Sequence, residues 1–311
     1  MDIETIIVTD SESNIRLDKL LALRFPTFSR NYFQTLILQG FVLLNGIKPK
    51  KRLHLTPDDE IEICFQLTPE IDVKPQNIPL DILFEDEHLL AINKPAGMVV
   101  HPAPGHPSGT FANALLHHCK GLETPGDPLR PGIVHRLDKE TSGVLLAAKT
   151  SQTHGALVEL FASRSIQKTY LAITTGSPGN CTIDAPIGRH PVHRKQMTTR
   201  DDGKQAITHF RVLANDGPLH LIECRPETGR THQIRVHLKS CNAPVLGDKL
   251  YAKPNPKIPR HLLHAWKLQL IHPITKKNLT IEAPCHELDF LVPSICNKLT
   301  PSPGLNYERI Y

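Results

Sequence analysis

The order of strand-like and helix-like segments between residues 88 and 240 restricts the fold of this sequence most. Five segments have the short apolar or alternating pattern of β-strands: 88–93, 144–149, 166–175, 205–214 and 219–225. Three have helical spacing: 110–118, 151–163, for which Ser151 is a candidate N-cap, and 230–240. Strands outnumber helices and do not alternate with them regularly. This order predicts an α+β domain with a mixed, mostly antiparallel sheet and disfavours a doubly wound fold.

A smaller unit is predicted ahead of this domain, over residues 14–66. Its first apolar run has helical spacing, and Ser29 is a candidate N-cap of a second helix that ends at Gly40. A strand, an Asn45-Gly46 turn of the kind that hairpins favour, and the alternating segment 59–65 follow. The pattern indicates a helix–helix–hairpin unit.

Positive charge is concentrated in this first unit. Residues 14–54 contain one acid, Asp18, and eight basic residues, so their net charge of +7 exceeds the +5 of the whole chain. The basic residues are Arg16, Lys19, Arg24, Arg30, Lys48, Lys50, Lys51 and Arg52. Local basicity of this kind suits a module that binds a polyanion, although a solvated basic surface would give the same composition.

The remaining boundaries come from composition. Residues 67–80 contain three prolines and little periodicity, which predicts a linker between the first unit and a second, larger domain over 81–295, with a tail at 296–311. The acidic start and the absence of any run near the roughly 18 apolar residues of a membrane helix predict a cytoplasmic protein without a membrane partner. The seven cysteines form no C-x-x-C pair, so we interpret them as inert thiols.

A loop rich in charge, GIVHRLDKETSG at 132–143, interrupts an apolar region. Its residues permit three interpretations. Asp138 caps a turn and the hydroxyls bond to local backbone; or His135, Asp138 and Ser142 form a hydrolase-like set, although no G-x-S-x-G occurs; or Asp138 is a nucleophile or base, with Arg136 and a distant basic residue positioning a substrate.

The segment HRLDKETSG resembles the signature HRLDxxTSG of the RluA-type pseudouridine synthases, with every specified residue present. Other blocks occur in the family's order: NKPAGMVVHP at 93–102, KTYLAI at 168–173 and ETGRTHQIRVHL at 227–238. The basic unit resembles the alpha-L type RNA-binding motif. The likeness extends over about residues 14–290 and is greatest to the branch that acts on large-subunit ribosomal RNA; small departures, such as NAPVLGD for GHPxxGD, affect loops.

The resemblance implies an isomerase that converts uridine to pseudouridine in RNA without a cofactor. It assigns the catalytic carboxylate to Asp138 and its charged partner to Arg235, with Arg230 the weaker candidate; a phosphate contact is the rival interpretation of Arg235. Tyr170 is expected to stack on the uracil. Arg136 is expected to fill the space left by the flipped nucleotide, because extruding a base costs a few kcal/mol.

Several further residues are expected to contact substrate or RNA. His232 and Arg230 belong to the third block; Arg189, Arg194 and Lys195 lie in a basic loop over 188–200; and Arg30, Lys50, Lys51 and Arg52 belong to the N-terminal unit. No histidine group has a recognisable metal-ligand spacing, so no metal site is predicted. The expected partner is large-subunit ribosomal RNA or a pre-ribosomal particle, bound by a monomer.

Three alternatives remain from the sequence. A transfer RNA or other structured RNA is the nearest alternative substrate. A non-catalytic RNA-binding assembly factor would have no need of an aspartate held against an arginine. A hydrolase that uses His135 or Ser142 would release a product, whereas the isomerisation changes no mass.

Overall fold

The structure is a computed structural model, and it describes residues 3–25, 28, 30–50, 53–65, 73–103, 105–122 and 130–285. The chain divides into two compact units: Met1–Lys74 with Thr124–Pro131, and Pro75–Glu123 with Gly132–Tyr311. Among the described residues, no helix is both long and apolar enough to cross a membrane.

The N-terminal unit combines two helices with a small antiparallel sheet. Its elements are β1 (Ile3–Ile7), a 3₁₀ turn (Asp10–Glu12), α1 (Leu17–Arg24), α2 (Arg30–Gln39), β2 (Val42–Leu44) and β3 (Glu60–Cys64), and the strand order is β1-β3-β2. Phe33 and Leu36 of α2 pack with the buried leucines of α1 and with Ile61 and Ile63 of β3. The predicted N-cap Ser29 lies outside the described residues.

The predicted start of this unit at residue 14 omits β1, which pairs along its whole length with β3. Four of the five β1 side chains are exposed, so the strand has no alternation of apolar and polar residues that would identify it. The Asn45-Gly46 turn is present, with positive φ at both residues. The residues that follow it make one bridge, at Ile47, and β2 takes its main partner from β3.

The described part of the second unit contains a sheet of nine strands, a separate pair of short strands and three helices. Its elements are β4 (Ile82–Glu85), β5 (Leu89–Lys94), α3 (Phe111–His118), β6 (Ser142–Ala148), α4 (Ser151–Ala162), β7 (Gln167–Thr175), β8 (Cys181–Asp184), β9 (Ile187–Arg189), β10 (Met197–Thr199), β11 (Ile207–Asp216), β12 (Leu219–Pro226), α5 (Gln233–Ser240), β13 (Leu263–Ile271) and β14 (Asn278–Glu282). The order is β4-β5-β6-β13-β7-β12-β11-β8, and β14 pairs with β13. All of these pairs are antiparallel except β6 with β13. This agrees with the predicted mixed, mostly antiparallel sheet.

The helices pack on this sheet through separate apolar clusters. Phe111 of α3 packs in the cluster that includes Leu145, while Leu157 of α4 packs with Leu146, so α3 and α4 cover opposite sides of β6. Helix α5 packs on β7, β11 and β12 through Ile234 and Leu238. The cap of α4 is not Ser151, as the sequence predicted, but the preceding Thr150, whose hydroxyl accepts a hydrogen bond from the Thr153 N–H.

Strand β13 positions the site. It comes late in the chain but lies between β6 and β7, which brings residues 260–265 beside the end of the charged loop. Gly143 has φ of +108°, and a β-carbon there would collide with the carbonyl oxygen of Ala265. The last glycine of the HRLDxxTSG signature is therefore needed because two strands approach each other closely.

Two short strands, β9 and β10, form a separate antiparallel pair that we call the arm, residues 187–199. The loop between them, residues 190–196, is mostly exposed. The basic loop predicted over 188–200 is therefore a hairpin with an exposed tip.

Candidate active site

The charged loop borders a cavity of about 490 Å³. Six of the residues that the sequence analysis selected line this cavity: Arg136, Asp138, Tyr170, Arg230, His232 and Arg235. They come from three places in the chain, namely the loop before β6, the strand β7, and the segment that begins α5. Phe161 and Lys168 add an apolar and a basic side chain to the lining.

Asp138 is held by an arginine that is itself fixed by a second carboxylate. The Arg235 Nη1 donates to Asp138 Oδ2 over 2.9 Å. On its other side, Arg235 donates through Nε and Nη2 to the two oxygens of Asp248, at 2.7 and 2.9 Å. The side chain of Asp248 is fully buried, so the bidentate pair fixes the direction of the guanidinium.

This arrangement keeps Asp138 ionised. Burial raises the pKa of the carboxyl, but the Arg235 guanidinium, through its charge and its hydrogen bond, outweighs this effect and holds the pKa of Asp138 below its ordinary value. Tyr170 faces the same cleft, and burial together with the charge of Asp138 raises the pKa of its phenol. The cleft therefore contains an ionised carboxylate beside a protonated tyrosine.

Arg230 has a different role from Arg235. Its Nε donates to the carbonyl of Gln205 at 2.9 Å, and its backbone N–H donates to Gln233 Oε1. The structure thus brings Arg235, and not Arg230, to Asp138. Arg136 is exposed in the cleft, two residues before Asp138.

The hydrolase-like set does not form. His135 accepts a hydrogen bond from the Leu146 N–H at Nε2, 2.8 Å away, and stacks on Phe161. Ser142 lies 2.9 Å from His264 Nδ1 instead. The interpretation as a turn held by local bonds also fails for the hydroxyls, since Thr141 Oγ1 bonds to a residue 120 positions away, His261 Nε2, at 2.8 Å.

Three buried residues that the sequence analysis did not select support the site. Asp248 lies in the segment NAPVLGD, which was considered only as a departure in a loop. Lys94 is fully buried and donates to the carbonyls of Pro95, Met98 and Lys139, at 2.8, 3.1 and 3.1 Å. Arg260, 4% exposed, donates to the Glu140 carbonyl at 3.1 Å. Asp248 is identified by its contact with Arg235, and Lys94 and Arg260 are identified by their contacts with the carbonyls of the charged loop.

The other predicted RNA-binding residues lie outside the cleft lining. Arg189, Arg194 and Lys195 belong to the arm, where all three are exposed. In the N-terminal unit, buried Asp18 accepts hydrogen bonds from Arg16, Arg30 and Gln34. The single acid of the basic segment thus fixes two of its arginines.

Lys50 is exposed in the N-terminal unit, and Lys51 and Arg52 lie outside the described residues. Within the described residues, one group of potential metal ligands occurs, Glu85 with His118 and Cys119. Glu85 there accepts from both His118 Nε2 and Lys149 Nζ, each at 2.9 Å. These two ion pairs account for the arrangement.

The comparisons with known proteins agree on one class. The family model described as RNA pseudouridylate synthase matches residues 88–240. An uncharacterized RNA pseudouridine synthase of Synechocystis sp. is 45% identical over 287 residues, covering 89% of this chain and 88% of that protein. The chain therefore belongs to the RNA pseudouridine synthase family, as its signature predicted, and is an isomerase of that class.

Further relatives indicate which branch of the family this chain resembles most. The protein named ribosomal large subunit pseudouridine synthase D of Xanthomonas campestris is 41% identical and covers 90% of this chain and 88% of its own length. The solved structure of human RNA pseudouridylate synthase domain containing 4 matches with a TM-score of 0.53 and 30% identity, over 68% of this chain and 92% of that chain. These matches confirm the predicted family and the α+β fold of its catalytic domain.

Proposed function

We propose that this enzyme isomerises specific uridines of large-subunit ribosomal RNA to pseudouridine, with Asp138 as the catalytic carboxylate. The target RNA is inferred from relatives whose names specify the large ribosomal subunit. The observation that supports the role of Asp138 most is its contact with Arg235, which Asp248 fixes from the other side.

The reaction breaks the bond between N1 of uracil and C1′ of the ribose, rotates the base, and forms a bond from C5 to C1′. The C5 proton leaves and N1 gains a proton, so no atoms are gained overall and no redox cofactor is needed. Attack on the sugar, attack on the base and proton abstraction that forms a glycal all require an ionised carboxylate. The low pKa of Asp138 meets that requirement.

Tyr170 and Arg136 are proposed to hold the flipped nucleotide. Tyr170 lines the cleft and offers its ring as a surface for stacking on uracil. Its raised pKa keeps the phenol protonated, so any part that it takes in removing the C5 proton requires a base beside it, and Asp138 is close enough to influence its pKa. Arg136 is exposed at the cleft and is proposed to occupy the vacancy in the RNA stack.

RNA outside the cleft is proposed to contact the arm and the N-terminal unit. Arg189, Arg194 and Lys195 present positive charge on an exposed hairpin, which suits phosphate contacts. In the N-terminal unit, replacing Lys50, Lys51 and Arg52 by alanine is expected to weaken binding and to reduce the salt slope by about one unit for each phosphate that is no longer neutralised. An unchanged slope would assign the binding to the other basic surface. That the protein is cytoplasmic and monomeric stays a prediction.

The experiment that tests the proposal measures tritium release from unmodified large-subunit ribosomal RNA labelled at C5 of uridine. The wild type is expected to release tritium and to give reverse-transcription stops at discrete sites after carbodiimide treatment. Asp138→Asn should release none, while Asp201→Asn, at an exposed turn, serves as the control for charge removal.

The outcomes separate the alternatives. If Asp138→Asn isomerises uridine at a normal rate, the assignment of the carboxylate is wrong. If the wild type binds ribosomal RNA without releasing tritium, transfer RNA is the next substrate to test. If the wild type releases tritium from neither RNA, the non-catalytic RNA-binding factor becomes the favoured alternative.

A further inference from the structure

The hydroxyl of Tyr251 joins the arm to the catalytic cleft. Tyr251 is 6% exposed, and its hydroxyl accepts a hydrogen bond from the Met197 N–H of β10, 2.8 Å away. The same hydroxyl lies 2.8 Å from Nδ1 of His232. The Tyr251 ring also lies under the Arg235 guanidinium, 5.0 Å from the ring centroid. One side chain thus contacts an arm strand and two cleft residues.

These contacts determine which nitrogen of His232 carries the proton. A tyrosine hydroxyl has one proton to donate. Because the Met197 N–H already donates to its oxygen, and Nδ1 of His232 is the one acceptor that the hydroxyl reaches among the described residues, the hydroxyl proton points to Nδ1. Nδ1 is then an acceptor, so the neutral imidazole carries its proton on Nε2.

That Nε2 proton faces the catalytic carboxylate. His232 Nε2 lies 3.8 Å from Asp138 Oδ2, in the lining of the cavity. His232 is the N-cap of α5 and has φ of +58°, in the left-handed region that side chains other than glycine seldom adopt. A strained backbone of this kind persists where the surroundings require it, and such residues cluster at functional sites.

We propose that Tyr251 and His232 form a positioning relay, in which the Tyr251 hydroxyl holds His232 as the Nε2–H tautomer with its proton directed at Asp138. The relay connects β10 of the arm to the carboxylate through three consecutive groups: a backbone N–H, a phenol and an imidazole. It rests on the role of Asp138 proposed above. Tyr251 is a positioning residue, since it acts through His232.

The relay has a pH dependence whose sign follows from its surroundings. The charged and titratable groups that face His232 are Asp138 and Arg136 from the loop, Arg235 from α5, and Asp248 and Tyr251 from the segment after α5. Burial is the largest effect and lowers the pKa of His232, so the ring is neutral near pH 7. The hydrogen bond that Nδ1 accepts also favours the neutral ring, and its removal should raise the pKa of His232.

The first test is made on the wild-type protein and needs no variant. Nitrogen-15 NMR of the protein labelled at histidine distinguishes a protonated ring nitrogen from an unprotonated one. The relay requires that His232 show a protonated Nε2 and an unprotonated Nδ1 at neutral pH, assigned by loss of its signals in His232→Asn. Protonation at Nδ1 instead would overturn the proposal and leave the role of Asp138 untouched.

The second test is a double-variant cycle on tritium release. Tyr251→Phe removes only the hydroxyl, and we expect kcat to fall by roughly threefold to tenfold, as for loss of one supporting hydrogen bond, with KM unchanged. The acid limb of its kcat profile should move to higher pH, because His232 protonates more readily. In the His232→Asn background, where asparagine tolerates the left-handed backbone, Tyr251→Phe should cause no further loss.

The control is Tyr32→Phe, which removes a hydroxyl from the other compact unit and should leave the acid limb in place. Additive losses in the double variant, or an unmoved acid limb in Tyr251→Phe, would show that the hydroxyl does not act through His232. If Asp138→Asn is as active as the wild type, the proposed role of Asp138 fails instead, whichever tautomer His232 has. Denaturation curves identify a variant that fails to fold. In that case the nitrogen-15 NMR spectrum of the wild type decides whether His232 has the tautomer that the relay requires.

Discussion

Replacing Asp248 by asparagine should strongly destabilise the second unit, which contains the cleft. The carboxylate is fully buried and accepts from Nε and Nη2 of Arg235 and from the N–H groups of Leu250 and Tyr251. Asparagine has nearly the same shape, so it leaves no cavity. It removes the negative charge and places an amide donor where one of the carboxylate oxygens accepted.

The expected loss of stability follows from the buried charge of Arg235, which stays in the interior when Asp248 is replaced. Arg235 is 4% exposed and keeps only the more exposed Asp138 as a charged partner among the residues that it contacts. Breaking a buried ion pair on one side costs about 3–5 kcal/mol when an uncompensated charge stays in the interior. Because Asp138 still compensates part of the Arg235 charge, we expect a loss near the lower end of that range. Total stabilities of domains are about 5–15 kcal/mol, so the loss should be measured easily.

Catalysis should fall as well. The direction of the guanidinium that bonds Asp138 is set by its two bonds to Asp248, and a shift of about 1 Å in a reacting group can reduce a rate by about 100-fold. We expect kcat for tritium release to fall by up to that factor in Asp248→Asn. The RNA affinity should change little, since Asp248 lies outside the residues that line the cavity.

The assay is urea denaturation followed by fluorescence of Trp266, the only tryptophan of the sequence, which lies in the catalytic unit. Glu282→Gln is the matched control, because it breaks the ion pair between Glu282 and Lys267. The side chains of Lys267 and Glu282 are 24% and 32% exposed. An exposed pair contributes about 0–1 kcal/mol. If Asp248→Asn loses no more stability than Glu282→Gln, the buried pair does not support the site as we have argued.

Three further predictions concern the loop and the first unit. Gly143→Ala should destabilise by about 1–3 kcal/mol, since its β-carbon meets the Ala265 carbonyl at positive φ; an unchanged urea midpoint would contradict the close approach. Burial lowers the pKa of His135 to about 3, so the unfolded chain binds its proton first, and stability should fall by up to about 1.4 kcal/mol per pH unit as pH drops below about 6.5; His135→Asn should reduce that slope in melting curves recorded from pH 7 to pH 5. Asp18→Asn should release Arg16 from its ion pair and lower the melting temperature of the first unit, whereas Asp58→Asn, at an exposed turn, should not.

The elements that the sequence predicted are those whose local pattern matches their burial. Segment 230–240 has helical spacing and contains α5, and the predicted strand 88–93 has an apolar run at 89–92 that lies in β5. β1 was missed because its exposed side chains carry no alternation. β13 was missed because its second residue is a buried histidine, His264, which bonds Ser142 and the Ala283 carbonyl. A histidine is buried there only because partners from distant parts of the chain satisfy it.

The same distinction separates the site residues that the sequence identified from those that only the structure shows. Asp138, Tyr170 and Arg235 were selected because the signature and its companion blocks specify them, and the structure brings all three to one cleft. Asp248 and Lys94 lie in blocks that resemble the family's, but neither was selected, because the resemblance gave them no role and the burial of a carboxylate or an amine is not visible in a linear pattern. What defines them is a partner brought near by topology, such as Arg235 for Asp248, and a linear pattern contains no such information.

The buried basic groups around the loop explain how a single carboxylate can be held on a turn. Lys94 donates to the carbonyl of Lys139, and Arg260 donates to that of Glu140, the two residues that follow Asp138. Backbone carbonyls on a loop would otherwise take their hydrogen bonds from water, which does not fix a conformation. Burial lowers the pKa of Lys94 to about 7. Lys94 and Arg260 each satisfy several carbonyls at once, so the desolvation of these two basic groups is offset only while the loop keeps its shape. The turn that presents Asp138 is therefore rigid for the same reason that these basic groups can be buried.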